Sequence, residues 1–309
     1  MNLKLKNFTI KKFNLDVNFS EGADEKYARW ADYRKWTSSF IESAVKDDSG
    51  IKKVLVLGAG NVNDLDLHLL CMRFDSIVLT DVSARSIGEG IKRQGLESKF
   101  AEKIKIIEAD YTGADENKLF YRLESLAAKV SPADKIIGYI TEAMESLSGY
   151  SPDISEDFDL VISCPVYTQL IYTQMEVFLK ILYEQGLYEY SQLNKILNAV
   201  YNLMPDVILR YNDLILRSCK KDGLAIMLSD MIEFEKGSSL SKKSKEASEL
   251  YHTDHNAAEK LIERYGIELA QIGCEDFISK TRVVTSDCGI WDFNESKGYL
   301  VCGYLAQKR

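Results

Sequence analysis

The sequence predicts an α/β protein built on a doubly wound, mostly parallel sheet that closes with a C-terminal antiparallel hairpin. Three observations predict it. Short apolar runs alternate with helical periodicities five times along the chain, as right-handed βαβ crossovers require. The first run, residues 54–57, is unbroken, as expected of a strand buried on both faces. It leads at once into Gly58-Ala-Gly60, and a helical pattern (Leu65, His68, Leu69, Met72) follows. A strand, a glycine turn and a helix N-terminus in succession put backbone N–H donors where a nucleotide's polar groups can meet them. Glycine suits that turn because a Cβ would block close approach and disfavour a positive φ. Asn63 or Asp64 is the expected N-cap of the helix.

The remaining elements follow in order. Residues 1–20 alternate (Leu3, Leu5, Phe8, Ile10, Phe13, Leu15, Val17), which predicts a short hairpin or an extended arm. Over residues 24–45, Tyr27, Trp30, Tyr33, Trp36 and Phe40 recur at helical steps. Such an aromatic stripe packs a helix onto the body. It could equally make a lid whose aromatic and Arg34 side chains close over a ligand at the glycine turn. Residues 46–50 are a polar break. Strands are expected at 76–80, ending at Asp81, then at 103–107, ending at Glu108-Ala-Asp110, and at 158–163 and 224–228. Helical periodicity covers 83–94 and 113–148, the latter broken at Ser131-Pro132. Two helical segments occupy 168–219, separated near Gly186, with Pro205 starting or kinking a further helix. Residues 235–250 are serine- and lysine-rich and read as a mobile surface loop. A helix over 256–265 precedes two alternating runs, 281–293 and 299–306, which flank a turn and close the sheet. The organisation expected is an N-terminal arm and helical cap (1–50) on a body spanning 51–309, with a helical insertion at about 168–219.

Composition bounds the function. Hydrophobic residues at 46% and charged ones at 28% place the 309-residue chain among ordinary globular proteins. A net charge of −8 argues against a broad phosphate-neutralising face and for a non-nucleic-acid partner. The six cysteines are scattered without a metal-type pair, and Cys71 and Cys302 sit in apolar contexts as buried small hydrophobes. No apolar run reaches membrane-spanning length and the N-terminus lacks a signal-like core. A cytoplasmic, reducing setting with no membrane partner and no metal is the expectation.

The order of these features resembles that of class I S-adenosylmethionine-dependent methyltransferases over roughly residues 50–306. The resemblance rests on Gly58 and Gly60, on the acids Asp81 and Asp110 ending strands two and three, and on Ser163-Cys-Pro-Val-Tyr167 ending strand four. It implies S-adenosylmethionine as cofactor. Gly58, Gly60 and Asn61 would line its methionine part, and Asp81, with Val82 beside it, its ribose. Asp110 with Tyr111 would take the adenine, and Ser163 and Cys164 would border the reacting end. Asp81 lies 23 positions beyond Gly58, close to the spacing at which an acid accepts hydrogen bonds from vicinal ribose hydroxyls. It could instead cap the helix after it. Residues 164–167 loosely resemble the Asn/Asp/Ser-Pro-Pro-Tyr/Phe segment of amino-directed methyltransferases. Cys164 replaces the acceptor side chain there and Val166 the second proline.

The candidate catalytic residues are Tyr167, which could wall the acceptor or simply pack, and His255. His252 and His255 flank Asp254 after strand five, where they could supply a base, or stand exposed while Asp254 caps a helix. Tyr27, Arg34, Tyr167 and His252 are the candidate substrate-binding residues. The acceptor expected is a small molecule. A nucleic-acid or protein acceptor clamped by the lysines of 236–245, and a non-catalytic cofactor-binding module, are the alternatives. A dinucleotide oxidoreductase is disfavoured, because its fingerprint wants glycine where Asn63 stands. The aliphatic, tyrosine-rich helices after residue 168 could form a substrate roof or a homodimer face.

Overall fold

The computed structural model describes residues 8–19, 22–45, 50–154 and 157–309. Three helices open the described chain: α1 (Ile10–Phe19), α2 (Ala23–Arg29) and α3 (Ala31–Ala44). The alternating body runs β1 (Lys53–Leu57), α4 (Leu67–Arg73), β2 (Ser76–Asp81), α5 (Ala84–Arg93), β3 (Ile104–Glu108), α6 (Leu119–Ala128), α7 (Ala133–Ser146) and β4 (Phe158–Ser163). Then come α8 (Tyr172–Glu184), α9 (Tyr190–Ser218), β5 (Cys219–Glu235), α10 (Ser239–Thr253), α11 (His255–Tyr265) and α12 (Glu268–Lys280). The hairpin β6 (Thr281–Trp291) and β7 (Lys297–Lys308) ends it.

One seven-stranded sheet has the order β3-β2-β1-β4-β5-β7-β6. The first five strands are parallel, and β7 inserts antiparallel between β5 and β6. The order reverses between β1 and β4, so the carboxyl ends of β1, β2 and β4 frame a crevice at a topological switch point. The apolar run of β1 is fully buried because the sheet carries helices on both faces. Leu55, Leu57, Val161 and Met227 face the core packed by α6 to α9, whereas Val54, Val56, Ile162 and Leu228 face the core of α3 to α5.

Several expectations change. The N-terminal arm contains the helix α1, whose Ile10, Asn14 and Val17 share one helical face rather than a strand's. The predictions for Leu3 and Leu5, and for most of the polar break at 46–50, lie outside the described residues. Gly186 does separate two helices with φ +66°, but α9 runs through Pro205 unbroken. The serine- and lysine-rich stretch is not a loop. Ser238 caps α10, and Ser241, Ser244, Ala247 and Tyr251 form its buried face. Small polar residues there let the helix approach the body closely without an apolar periodicity in the sequence. Cys302 is buried, yet it is bonded to Cys288, its directly opposed neighbour on β6. Residues so placed on adjacent antiparallel strands lie close enough for their sulfurs to meet. No helix among the described residues is long and apolar enough to cross a membrane.

Candidate active site

The cavity at the switch point is built from elements far apart in sequence. Gly58, Ala59, Gly60 and Asn61 follow β1, Asp81 and Val82 end β2, and Tyr111 and Thr112 follow β3. Cys164, Pro165 and Val166 follow β4, while α1, α2 and the β6–β7 turn supply the roof.

The glycine turn has the geometry its sequence demands. Gly58 and Gly60 have φ of +72° and +52°. At Gly58 a Cβ would come within 2.4 Å of Val166 Cγ1, so the turn can lie against the segment after β4 only without a side chain. At Gly60 a Cβ would meet nothing within 4 Å. Its bare face therefore opens on free space in the cavity wall, a cradle that a side chain would fill. The Gly58 N–H donates to the Tyr111 hydroxyl at 2.7 Å, which also lies 2.7 Å from Thr80 Oγ1. The Gly60 N–H donates to Asp81 Oδ2 at 3.0 Å, and the Ser83 N–H donates to Asp81 Oδ1 at 3.2 Å. Asp81 thus braces the turn while lining the cavity. Burial pushes its carboxyl up to about 6, against the pull of those N–H donors.

Most of the remaining expected cofactor contacts converge here as well. Asn61, Val82, Tyr111 and Cys164 all line the cavity. The Cys164 thiol is buried and held well above its ordinary pKa by burial, with Asp64 adding to it. Asp110 is turned away. Its Oδ1 accepts from the N–H and hydroxyl of Thr112 at 2.8 and 2.6 Å, and its Oδ2 from the Asp115 N–H at 2.9 Å, so the carboxylate shapes its own loop. Thr112 takes its place on the wall. Ser163 lies beneath, within 2.9 Å of the Tyr211 hydroxyl.

The other candidates do not reach the cavity. Tyr167 is buried in the core, donates to Asn212 Oδ1 at 2.6 Å and packs against Gly273, so it is a packing residue. Arg34 donates to the carbonyls of Tyr27 and Asn63 at 3.1 and 2.7 Å, with its guanidinium 3.7 Å from the Tyr27 ring centroid. The pair fastens the helical cap to the glycine loop and faces no ligand space. His252 pairs with Asp287 at 2.9 Å and His255 with Glu259 at 3.2 Å, both on the exposed surface. Asp254 caps α11 by accepting the Ala257 N–H at 3.1 Å. The expected N-cap of α4 also moves, to Asp66, which accepts from Leu69.

No family model and no curated protein matches the chain. Among solved structures, the N-methyltransferase NodS from Bradyrhizobium japonicum, in complex with S-adenosylhomocysteine, aligns at 12% identity and a TM-score of 0.44, covering 92% of this chain and 95% of its own. Magnesium protoporphyrin IX methyltransferase from Synechocystis, with bound S-adenosylmethionine, aligns at 9% identity and 0.44, covering 98% and 99%. TehB from Haemophilus influenzae aligns at 10% identity and 0.43, covering 97% of this chain and 67% of its own. These are distant likenesses, and the site's own geometry has to carry the function.

Three of the wall residues, Lys26, Trp291 and Phe293, escaped the sequence. Lys26 sits on α2, Trp30 between α2 and α3, Trp291 and Phe293 at the hairpin, and the Lys26 ammonium lies 5.1 and 5.4 Å from the Trp30 and Phe293 ring centroids. The aromatic stripe packs the cap onto the body and puts Trp30 in the cavity wall, without the Arg34 contact that a lid was expected to make. Tyr33 and Trp36 pack towards β6, while Trp30 also closes over the cavity. Gly90 was missed too. On α5, a Cβ there would come within 2.2 Å of the Asn61 carbonyl, so the small residue that seats the loop comes from a different helix. Its only signal was a pair of glycines, Gly88 and Gly90, inside a helical pattern.

Proposed function

We propose that the protein is an S-adenosylmethionine-dependent methyltransferase acting on a small-molecule acceptor. The observation that carries the reading is the joined pair at the rim. Gly60, with an open face, is hydrogen-bonded to Asp81, which ends β2 in the same cavity wall. An adenosyl group fits this donor set. Asp81 keeps lone pairs beyond those taken by Gly60 and Ser83 and would accept the two ribose hydroxyls. Val82 and Thr112 would border the adenine, and Gly58 to Asn61 the amino-acid end.

When bound, the cofactor supplies an electrophilic sulfonium methyl, which the acceptor's lone pair takes as the C–S electrons return to sulfur. The protein then needs mainly to align the two reactants and exclude water. Trp30, Trp291 and Phe293 close the roof with apolar surface, and Cys164, Val166 and Gln169 line the side nearest β4. None of the exposed histidines takes part.

Calorimetry tests this reading with S-adenosylmethionine, S-adenosylhomocysteine and NAD on the wild type and on Asp81→Ala. Binding of the two adenosyl ligands that the variant loses is the expected result. Binding of NAD alone, or undiminished adenosyl binding by the variant, would overturn it.

A further inference from the structure

We propose that a second cavity, beside β5, is an organic-cation subsite in which Asp230 anchors a protonated amine on the acceptor. Its description as the acceptor's subsite rests on the methyltransferase reading; the cation preference itself does not. This cavity holds about 550 Å³ and shares Val17, Gln169, Trp291 and Phe293 with the first. The two cavities are therefore neighbours with a common wall.

Asp230 is the decisive feature. It lines the cavity, is only 3% exposed, and its Oδ1 has no hydrogen-bond partner among the described residues. Its Oδ2 accepts from Thr168 Oγ1 at 3.2 Å, which fixes the carboxylate and leaves the other oxygen without a partner. A buried carboxylate lacking half its partners is costly unless something completes it. Burial accordingly pushes this carboxyl up to about 7, and a bound cation would draw it back into the charged form.

The walls favour a cation over a neutral or anionic group. Glu233 and Glu176 line the same cavity, and so does Lys297, which Glu233 already engages at 2.7 Å while accepting the Tyr299 hydroxyl at 2.8 Å. Two carboxylates beyond the Glu233–Lys297 pair thus remain for the ligand. Tyr172, Tyr201, Trp291 and Tyr299 supply ring surface against which an ammonium or its apolar body can lie. The cavity is therefore shaped for an amine carried on an apolar or aromatic skeleton.

The experiment pairs each amine with the alcohol and the carboxylate of the same skeleton. Phenethylamine, 2-phenylethanol and phenylacetate form one set, and putrescine, 1,4-butanediol and succinate the other, titrated calorimetrically with S-adenosylhomocysteine present and absent. The wild type should bind the amines at least about tenfold more tightly than their partners, the range set by a charge-assisted hydrogen bond. Asp230→Asn should lose that preference and keep its S-adenosylhomocysteine affinity within about twofold. Equal binding of amine and alcohol by the wild type, which needs no variant, would overturn the subsite. A preference retained in a folded Asp230→Asn would overturn the role of that residue. If the amine preference depends on Asp230 while S-adenosylhomocysteine fails to bind, the cation subsite stands and the methyltransferase reading falls.

Discussion

Asp81 and Asp230 are two buried aspartates on one sheet, each at a cavity wall, and they are used in opposite ways. Asp81 ends β2 and is met by the N–H groups of Gly60 and Ser83. Asp230 lies far along β5, where the strand pairs with β7, and has one hydroxyl partner and one empty oxygen. Burial raises both carboxyls, Asp81 to about 6 and Asp230 to about 7. Backbone donors at the end of a parallel strand lower the cost of a buried carboxylate, so Asp81 can brace a turn from within a cavity wall. At Asp230 the only backbone help is its own N–H, and with Thr168 as its single side-chain donor its carboxyl is held higher.

The largest test of this contrast is electrostatic. An aspartate whose folded pKa lies above its unfolded value near 3.9 favours the folded state in acid, and that contribution disappears as the pH rises through the folded pKa. For Asp230 the window is roughly pH 4 to 7. Relative to wild type, Asp230→Asn should therefore gain about 4 kcal/mol of stability between pH 4 and pH 8, read from denaturant unfolding at the two pH values. An unchanged pH slope would mean that the carboxylate is already satisfied. Asp81→Ala should weaken adenosyl-ligand binding at least about 100-fold, through the loss of two charge-assisted bonds, while leaving amine binding at Asp230 intact. Equal damage to both ligands would merge the two regions into one.

Smaller effects sharpen the same picture. Gly58→Ala should cost about 2 kcal/mol in stability, from a positive φ and the overlap with Val166, measured by chemical denaturation. Asp110→Ala should cost about 1 to 2 kcal/mol by freeing the loop after β3, yet shift adenosyl affinity less than about threefold, as a bracing group should. His252→Ala and His255→Ala should each change stability by less than about 0.5 kcal/mol and leave methyl transfer unaltered, because both side chains stand exposed away from the cavities.

The strands were legible because burial on two faces writes itself as unbroken apolar runs, and the glycine rim because a Cβ at Gly58 would collide with Val166. Asp81 was legible through its spacing from Gly58. Asp110 was misplaced for a physical reason: a carboxylate at a strand end can turn into its own loop as easily as into a cleft, and Thr112 and Asp115 captured it. The histidines were overread because proximity in sequence said nothing of which way α10 and α11 would face. Helix α10 went unread because two serines, an alanine and a tyrosine, rather than large aliphatic residues, form its buried face.

By itself the sequence determined the alternation of β1 to β5 with helices, the antiparallel ending and the glycine rim, since each depends on residues within one short stretch. Tertiary structure alone decided which polar groups share a cavity. Lys26, Trp30, Trp291 and Phe293 stand more than 250 positions apart at their extremes and meet only because α2 packs against the closing hairpin. The empty oxygen of Asp230 was equally invisible, because whether a buried acid is satisfied depends on neighbours that the chain brings to it from elsewhere.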